Sequence, residues 1–200
     1  MKTKITKVLK ITTLLFLVMV MIYQLLLSDL NPMFKRDDFI AIKEEINKSK
    51  NEDFKHFLNL YNKIYNQKSI KFYSLKNSKL GFPKDDCPCL DVARYYGANN
   101  LRNFKIPFVK ILYTLKIEKE FSQEDCLKLI LSKADLLYDN EGIKEASLYF
   151  FNKKIDSLNE RELLELIIML ENPILFDPKR NREIRQNKIL VYEKFLEKIK

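Results

Sequence analysis

The sequence predicts a mainly α-helical fold with one N-terminal transmembrane helix. Three observations carry that prediction. Only three glycines, six prolines and no tryptophan occur in 200 residues, too few turn-formers for a β-rich chain. Apolar residues recur at helical spacing through most of the chain. An uncharged run, "ITTLLFLVMVMIYQLLL", spans Ile11 to Leu27. Hydrophobic residues make up 46% and charged residues 32%, the balance of a folded chain rather than a disordered one. The length suits one domain plus an anchor.

The first segment, residues 1–10, holds four lysines and no acid, and residues 11–28 are the expected membrane anchor. A cleaved signal peptide is the alternative. However, "SDLNPMFKRDD" places bulky residues where cleavage needs small ones. The lysines are expected to stay in the cytoplasm, giving a single-pass protein of the inner membrane with its main domain on the extracytoplasmic side.

Residues 29–88 are less regular. Phe39, Ile40, Ile42 and Ile46, then Phe54, Phe57, Leu58, Leu60, Tyr61 and Ile64, describe two helices broken near "NKSKN". The stretch around Gly81, Pro83 and Pro88 reads as loop or short strand. Residues 89–200 read as a helical domain. "LDVARYYG" is a short helix expected to stop near Gly97. Pro107 suits a first helical turn, and Phe108, Ile111, Leu112 and Leu115 follow the core-facing rule. Ser122 with Asp125, and Ser157 with Glu160, form candidate capping boxes. "IKEASLYFF" is a further short helix, and the chain closes on an amphipathic one.

Net charge is +9, with four of the positive charges in the first ten residues. The modest remaining excess suits an anionic membrane surface or a phosphate-bearing ligand. No zinc-finger, RNA-binding or basic-helix pattern points to nucleic acid. Cys87, Cys89 and Cys126 are an odd set with His56 as the single histidine, so no metal site is expected and the cofactor is unknown. The thiols are free and buried, or Cys126 bridges Cys87 or Cys89 in an oxidising compartment.

From about Val92 to Phe195 the chain resembles glycosyltransferase family 51, the peptidoglycan glycosyltransferases. "LKIEKEFSQEDCLKLIL" resembles the family segment "ysKdeILelYLN". The run from "LYDNEGIKEASLYFF" to "FDPKRNREIRQNKIL" resembles "yGieaAa.yyFgk", "LtlaEaalLagl", "P..ydP" and "R.n.vL" in order. The resemblance implies a lysozyme-like helical lobe of the family 51 type and a link to lipid II polymerisation. In that reaction a glutamate deprotonates the acceptor hydroxyl and a lipid diphosphate leaves.

The family's functional motifs are altered here. Its "RKxxE" helix falls on Ile106, Pro107 and Lys110, so Lys110 stands where a glutamate would. "GGSTITQQLAKN" falls on "KDDCPCLDVARY", which keeps only Ala93 and Arg94 for Ala-Lys. The first motif has a compressed counterpart in "NEDFKHF", making Glu52 the candidate catalytic base, with Glu44 and Glu45 as alternatives. Arg94, Lys110 and Glu118 are the candidate substrate-binding residues, and Tyr95 and Tyr96 could stack on a sugar. Two readings follow from the resemblance. One is a divergent transglycosylase acting on lipid II. The other is a non-catalytic module that binds peptidoglycan precursors or cell-wall synthesis proteins.

Overall fold

A computed structural model describes residues 2–72, 82–100 and 107–199. The expectations placed on Gly81, Ile106 and the side chains of Tyr96 and Phe108 fall outside the described residues. In chain order the elements are α1 (Lys2–Leu26), α2 (Asp37–Ser49), α3 (Lys55–Ile64), β1 (Tyr65–Gln67), β2 (Lys84–Asp86), α4 (Pro88–Asn100), α5 (Pro107–Glu120), α6 (Gln123–Lys133), α7 (Gly142–Phe151), α8 (Glu160–Glu171) and α9 (Arg182–Ile199). The fold is mainly helical. Among the described residues the only sheet is the parallel pair of β1 and β2, with Tyr65 opposite Lys84 and Gln67 opposite Asp86.

Within α1, Leu9–Leu26 is long and apolar enough to cross a membrane. It spans about 27 Å at the helical rise of roughly 1.5 Å per residue. Its described side chains are exposed as far as Leu25, while Leu27, just past its end, and Phe34, within a 3-10 turn over Pro32–Lys35, are buried. Lys116 of α5 secures this foot. Its ammonium donates to Asp29 Oδ1 at 2.6 Å and to the Leu27 carbonyl at 3.4 Å.

Two apolar clusters organise the rest. One gathers Phe34, Phe39, Ile42 and Ile46 with Val92, Ala93, Leu112, Tyr113 and Ile117. The other gathers Phe57, Tyr61 and Ile64 with Ile143, Ala146, Leu164, Ile167, Ile168, Ile189 and Tyr192. Helix α6 belongs to both: Cys126 and Leu129 face the first, and Leu127 and Leu131 face the second. A disulfide between Cys89 and Cys126 fastens α4 to α6 across a Cα–Cα distance of 5.1 Å, leaving Cys87 as a buried free thiol.

Several local expectations change. Helix α4 continues past Gly97 to Asn100; an isolated glycine weakens a helix without ending it. The buried face of α5 is Val109, Leu112, Tyr113, Thr114, Lys116 and Ile117, while Ile111 is exposed. That face is rotated from the expected one, because a lysine occupies a core-facing position and hides the stripe. Ser122 and Asp125 do form a capping box. On α8 the box is Asn159 with Glu162, since Ser157 closes a 3-10 turn over Ile155–Ser157.

The entry to α7 requires its glycine. Gly142 has φ +78°, and a Cβ there would lie 2.5 Å from the Ser132 carbonyl oxygen. Its amide donates to the Ala134 carbonyl at 2.8 Å, holding α7 against the end of α6.

Candidate functional site

A groove of about 830 Å³ opens between α3, β2, α4, α6 and α8. One wall is aromatic: Tyr61 and Tyr65 stack with ring centroids 4.5 Å apart. Another is the outer face of α4, which presents Asp91, Arg94 and Tyr95. Ala93, on the opposite face of α4, is buried in the first cluster, and Val92 is buried there too while reaching the groove. The three-four periodicity of α4 thus turns Asp91 and Arg94 together toward the groove. They are ion-paired at 3.1 Å.

Asp86 sits at the end of β2 on the groove wall. The Tyr61 hydroxyl donates to its Oδ2 at 2.8 Å, and the Cys87 amide donates to Oδ1 at 2.9 Å. Burial pushes its carboxyl up to about 6, with the Asp91 charge adding to the rise against the hydrogen bond from Tyr61. Burial also raises Asp91, opposed by Arg94. The groove therefore holds carboxylates with shifted titration beside a guanidinium, a pairing suited to proton transfer near a charged ligand.

The far end is a polar knot around Glu171. It accepts from Lys84 at 2.7 Å, from Lys188 at 3.0 Å, and from the hydroxyls of Tyr65 and Tyr192. Burial opposes its charge, but those donors outweigh burial and hold the carboxyl at about 2. Glu171 is thus a fixed anion that positions Tyr65, not a proton carrier at neutral pH. On the α6 side, Lys133 lies 2.9 Å from Glu141 and 4.0 Å from Glu45. Among the described residues no set of three His, Cys, Asp or Glu side chains converges as a metal site.

The sequence-derived candidates are scattered by the fold. Arg94 lines the groove. Glu52 forms an ion pair with Lys144 of α7 and is not among the groove-lining residues. Glu45 is closer, through Lys133, and also pairs with Lys48 at 2.7 Å; Glu44 is exposed. Lys110 is exposed on α5 without an ion pair among the described residues. Glu118 accepts from Ser69 Oγ at 2.6 Å, the Ile70 amide at 2.7 Å and Gln123 Nε2 at 2.7 Å. It lines a separate crevice at the foot of α1. His56 Nε2 meets the Leu158 carbonyl at 3.0 Å, tying α3 to the turn before α8.

Sequence reasoning missed Asp86, Lys133, Tyr65 and Glu171 as site residues. Each depends on tertiary placement. Asp86 becomes distinctive only once the β1–β2 pairing sets it beside Tyr61, and Glu171 only once α8 meets α9 and β2.

Comparison with known proteins bears on the same stretch. The family model for transglycosylases matches residues 91–195, which contain the groove residues of α4, α6 and α8. A curated Cupriavidus necator protein, provisionally named as a transglycosylase, is 25% identical over 109 residues, covering 54% of this chain and 47% of its own length. The chain thus spans about half the length of that relative. No solved structure gives a significant match. With more than half of its length matched to the family model and most of the groove lined by that stretch, the chain belongs to the transglycosylase family, glycosyltransferase family 51.

Proposed function

We propose that the groove beside Arg94 receives the sugar–diphosphate end of a lipid-linked peptidoglycan precursor, lipid II, on the extracytoplasmic face of the inner membrane. The protein would be a divergent member of its family, anchored by α1 and lysozyme-like in its helical lobe. It would retain the precursor cradle without the standard catalytic glutamates. The observation that carries this reading is that Arg94, the cation kept from the family's Ala-Lys pair, lines a groove walled mostly by the family-matched region. A guanidinium binds phosphate oxygens as a fork, and the Tyr61–Tyr65 wall offers a sugar an apolar face. The Cys89–Cys126 disulfide suits an oxidising compartment.

The test is binding of lipid II to the full chain in detergent or nanodiscs. Micromolar affinity that falls about tenfold in Arg94→Ala is expected, the share of one partly exposed charge-assisted contact. Affinity unchanged by Arg94→Ala removes the groove reading.

A second reading, catalysis, is favoured by the raised carboxyl of Asp86. In it the acceptor hydroxyl gives its proton to a groove carboxylate as its oxygen bonds to the donor's anomeric carbon. The bond from that carbon to the diphosphate breaks, and the electron pair leaves with the diphosphate beside Arg94. Asp86 and Asp91 line the groove and lead as bases on this reading; Glu52 is the counterpart of the family's first motif. Glycan polymer from lipid II that is lost in Asp86→Asn but kept in Glu52→Gln supports the groove base. Loss in Glu52→Gln alone assigns the base to Glu52.

A further inference from the structure

The crevice at the foot of α1 is distinct from the groove. It measures about 450 Å³ and is lined by Tyr23 and Gln24 of α1, by Ser69 and Lys71, and by Glu118 and Lys119 of α5. Its depth relative to a bilayer follows from α1. Tyr23 and Gln24 lie in the last turns of the apolar span Leu9–Leu26, so the crevice mouth lies where acyl chains give way to headgroups.

Its charge is net positive, two lysines against the single carboxylate of Glu118. The Glu118 carboxylate is occupied by Ser69, Ile70 and Gln123, with the Cys87 thiol 3.7 Å away. Asp29, which lies within reach of the Lys119 field, is held by Lys116 at 2.6 Å. Lys71 and Lys119 are exposed and form no ion pair among the described residues. Glu118 also fixes the crevice shape by pinning residues 69 and 70 to α5. Leu30 and Phe72, each 76% exposed among the described residues, are apolar side chains close in sequence to this foot.

We propose that this crevice holds the phosphate headgroup of an anionic phospholipid, with Lys71 and Lys119 as its cationic ligands and the lipid chains lying along α1. The proposal rests on the anchoring of α1 proposed above. It gives Glu118 a positioning role outside the precursor groove, and a bound lipid would brace the domain on its anchor.

The test uses the full chain in nanodiscs of phosphatidylglycerol or phosphatidylcholine, followed by native mass spectrometry. One phosphatidylglycerol is expected to stay with the wild type, and phosphatidylcholine to be lost. The double variant Lys71→Gln/Lys119→Gln should retain phosphatidylglycerol about 30-fold less well, the combined effect of two interfacial lysines. Lys71→Arg/Lys119→Arg should retain it, and Arg94→Ala should leave retention unchanged. Equal retention by the glutamine variant, or equal retention of both lipids, overturns the proposal. Displacement by millimolar inorganic phosphate also overturns it, marking a free-anion site instead. A wild type that enters nanodiscs of neither lipid removes the anchor itself, an outcome distinct from the others.

Discussion

Arg94 and Asp91 lie one helical turn apart on α4 and share an ion pair of 3.1 Å on the wall of the groove. The two side chains are 44% and 49% exposed, so the pair itself contributes little to stability. Its effect is on binding, because Asp91 competes with any anionic ligand for the guanidinium. Asp91→Asn is therefore expected to tighten lipid II binding about three-fold, where Arg94→Ala weakens it about tenfold. A titration of both variants against wild type checks this. Neither should shift the unfolding midpoint appreciably.

Asp86 predicts a pH dependence of stability. Its folded carboxyl, near 6, lies above its ordinary value of 3.8 because of burial. The neutral form is favoured in the folded protein, so the associated stability is present below about pH 4. It is lost as pH climbs toward 6, because the unfolded chain releases that proton first. The loss is on the order of 3 kcal/mol. Asp86→Asn keeps an acceptor for the Tyr61 hydroxyl and should flatten that slope. Chemical denaturation between pH 4 and 7 measures it. An unchanged slope in the variant places the titration elsewhere.

The disulfide closes a loop of 37 residues. Chain-entropy arguments give such a cross-link about 4 kcal/mol. Cys89→Ala/Cys126→Ala, or reduction of the wild type, should lower stability by an amount of that order in denaturant titrations. Cys87→Ala should cost far less. Burial, with the nearby Glu118, Asp86 and Asp91 charges, pushes the Cys87 thiol up to about 12, so it should resist alkylation in the native protein and react after unfolding.

Gly142→Ala should be among the most damaging single-methyl substitutions in the chain. The added carbon meets backbone oxygen at 2.5 Å in a left-handed conformation, and neither the α6 carbonyl nor the α7 entry has a flexible side chain to move. A loss of about 3 kcal/mol is expected, read as a lowered melting temperature.

What was legible in the sequence was local. The Ser122–Asp125 box, the Pro107 start and the break between α2 and α3 are all visible in short windows, because their energetics act within one turn. The α5 stripe was misjudged by a rotation because Lys116 is buried, and its partners Asp29 and Leu27 lie nearly ninety positions earlier. The second capping box failed because Ser157 and Asn159 both suit the role, and only the turn before α8 decides between them. Arg94 was reachable through family resemblance. Asp86 was not, since its titration is set by burial on the groove wall, which only the folded chain creates. The Glu52–Lys144 ion pair, 92 residues apart in sequence, was equally invisible.

Helix α6 faces both apolar clusters and is chained to α4 by its cysteine. A wall shared by two rooms cannot fall for one of them alone. Melting of either half strips α6 of one side of its packing, so calorimetry of the oxidised protein should record one cooperative transition, not two. The groove straddles the same wall, with Tyr61 and Tyr65 on one side and Val92 and Arg94 on the other. Whatever occupies it would grip both halves at once and raise the temperature of that single transition.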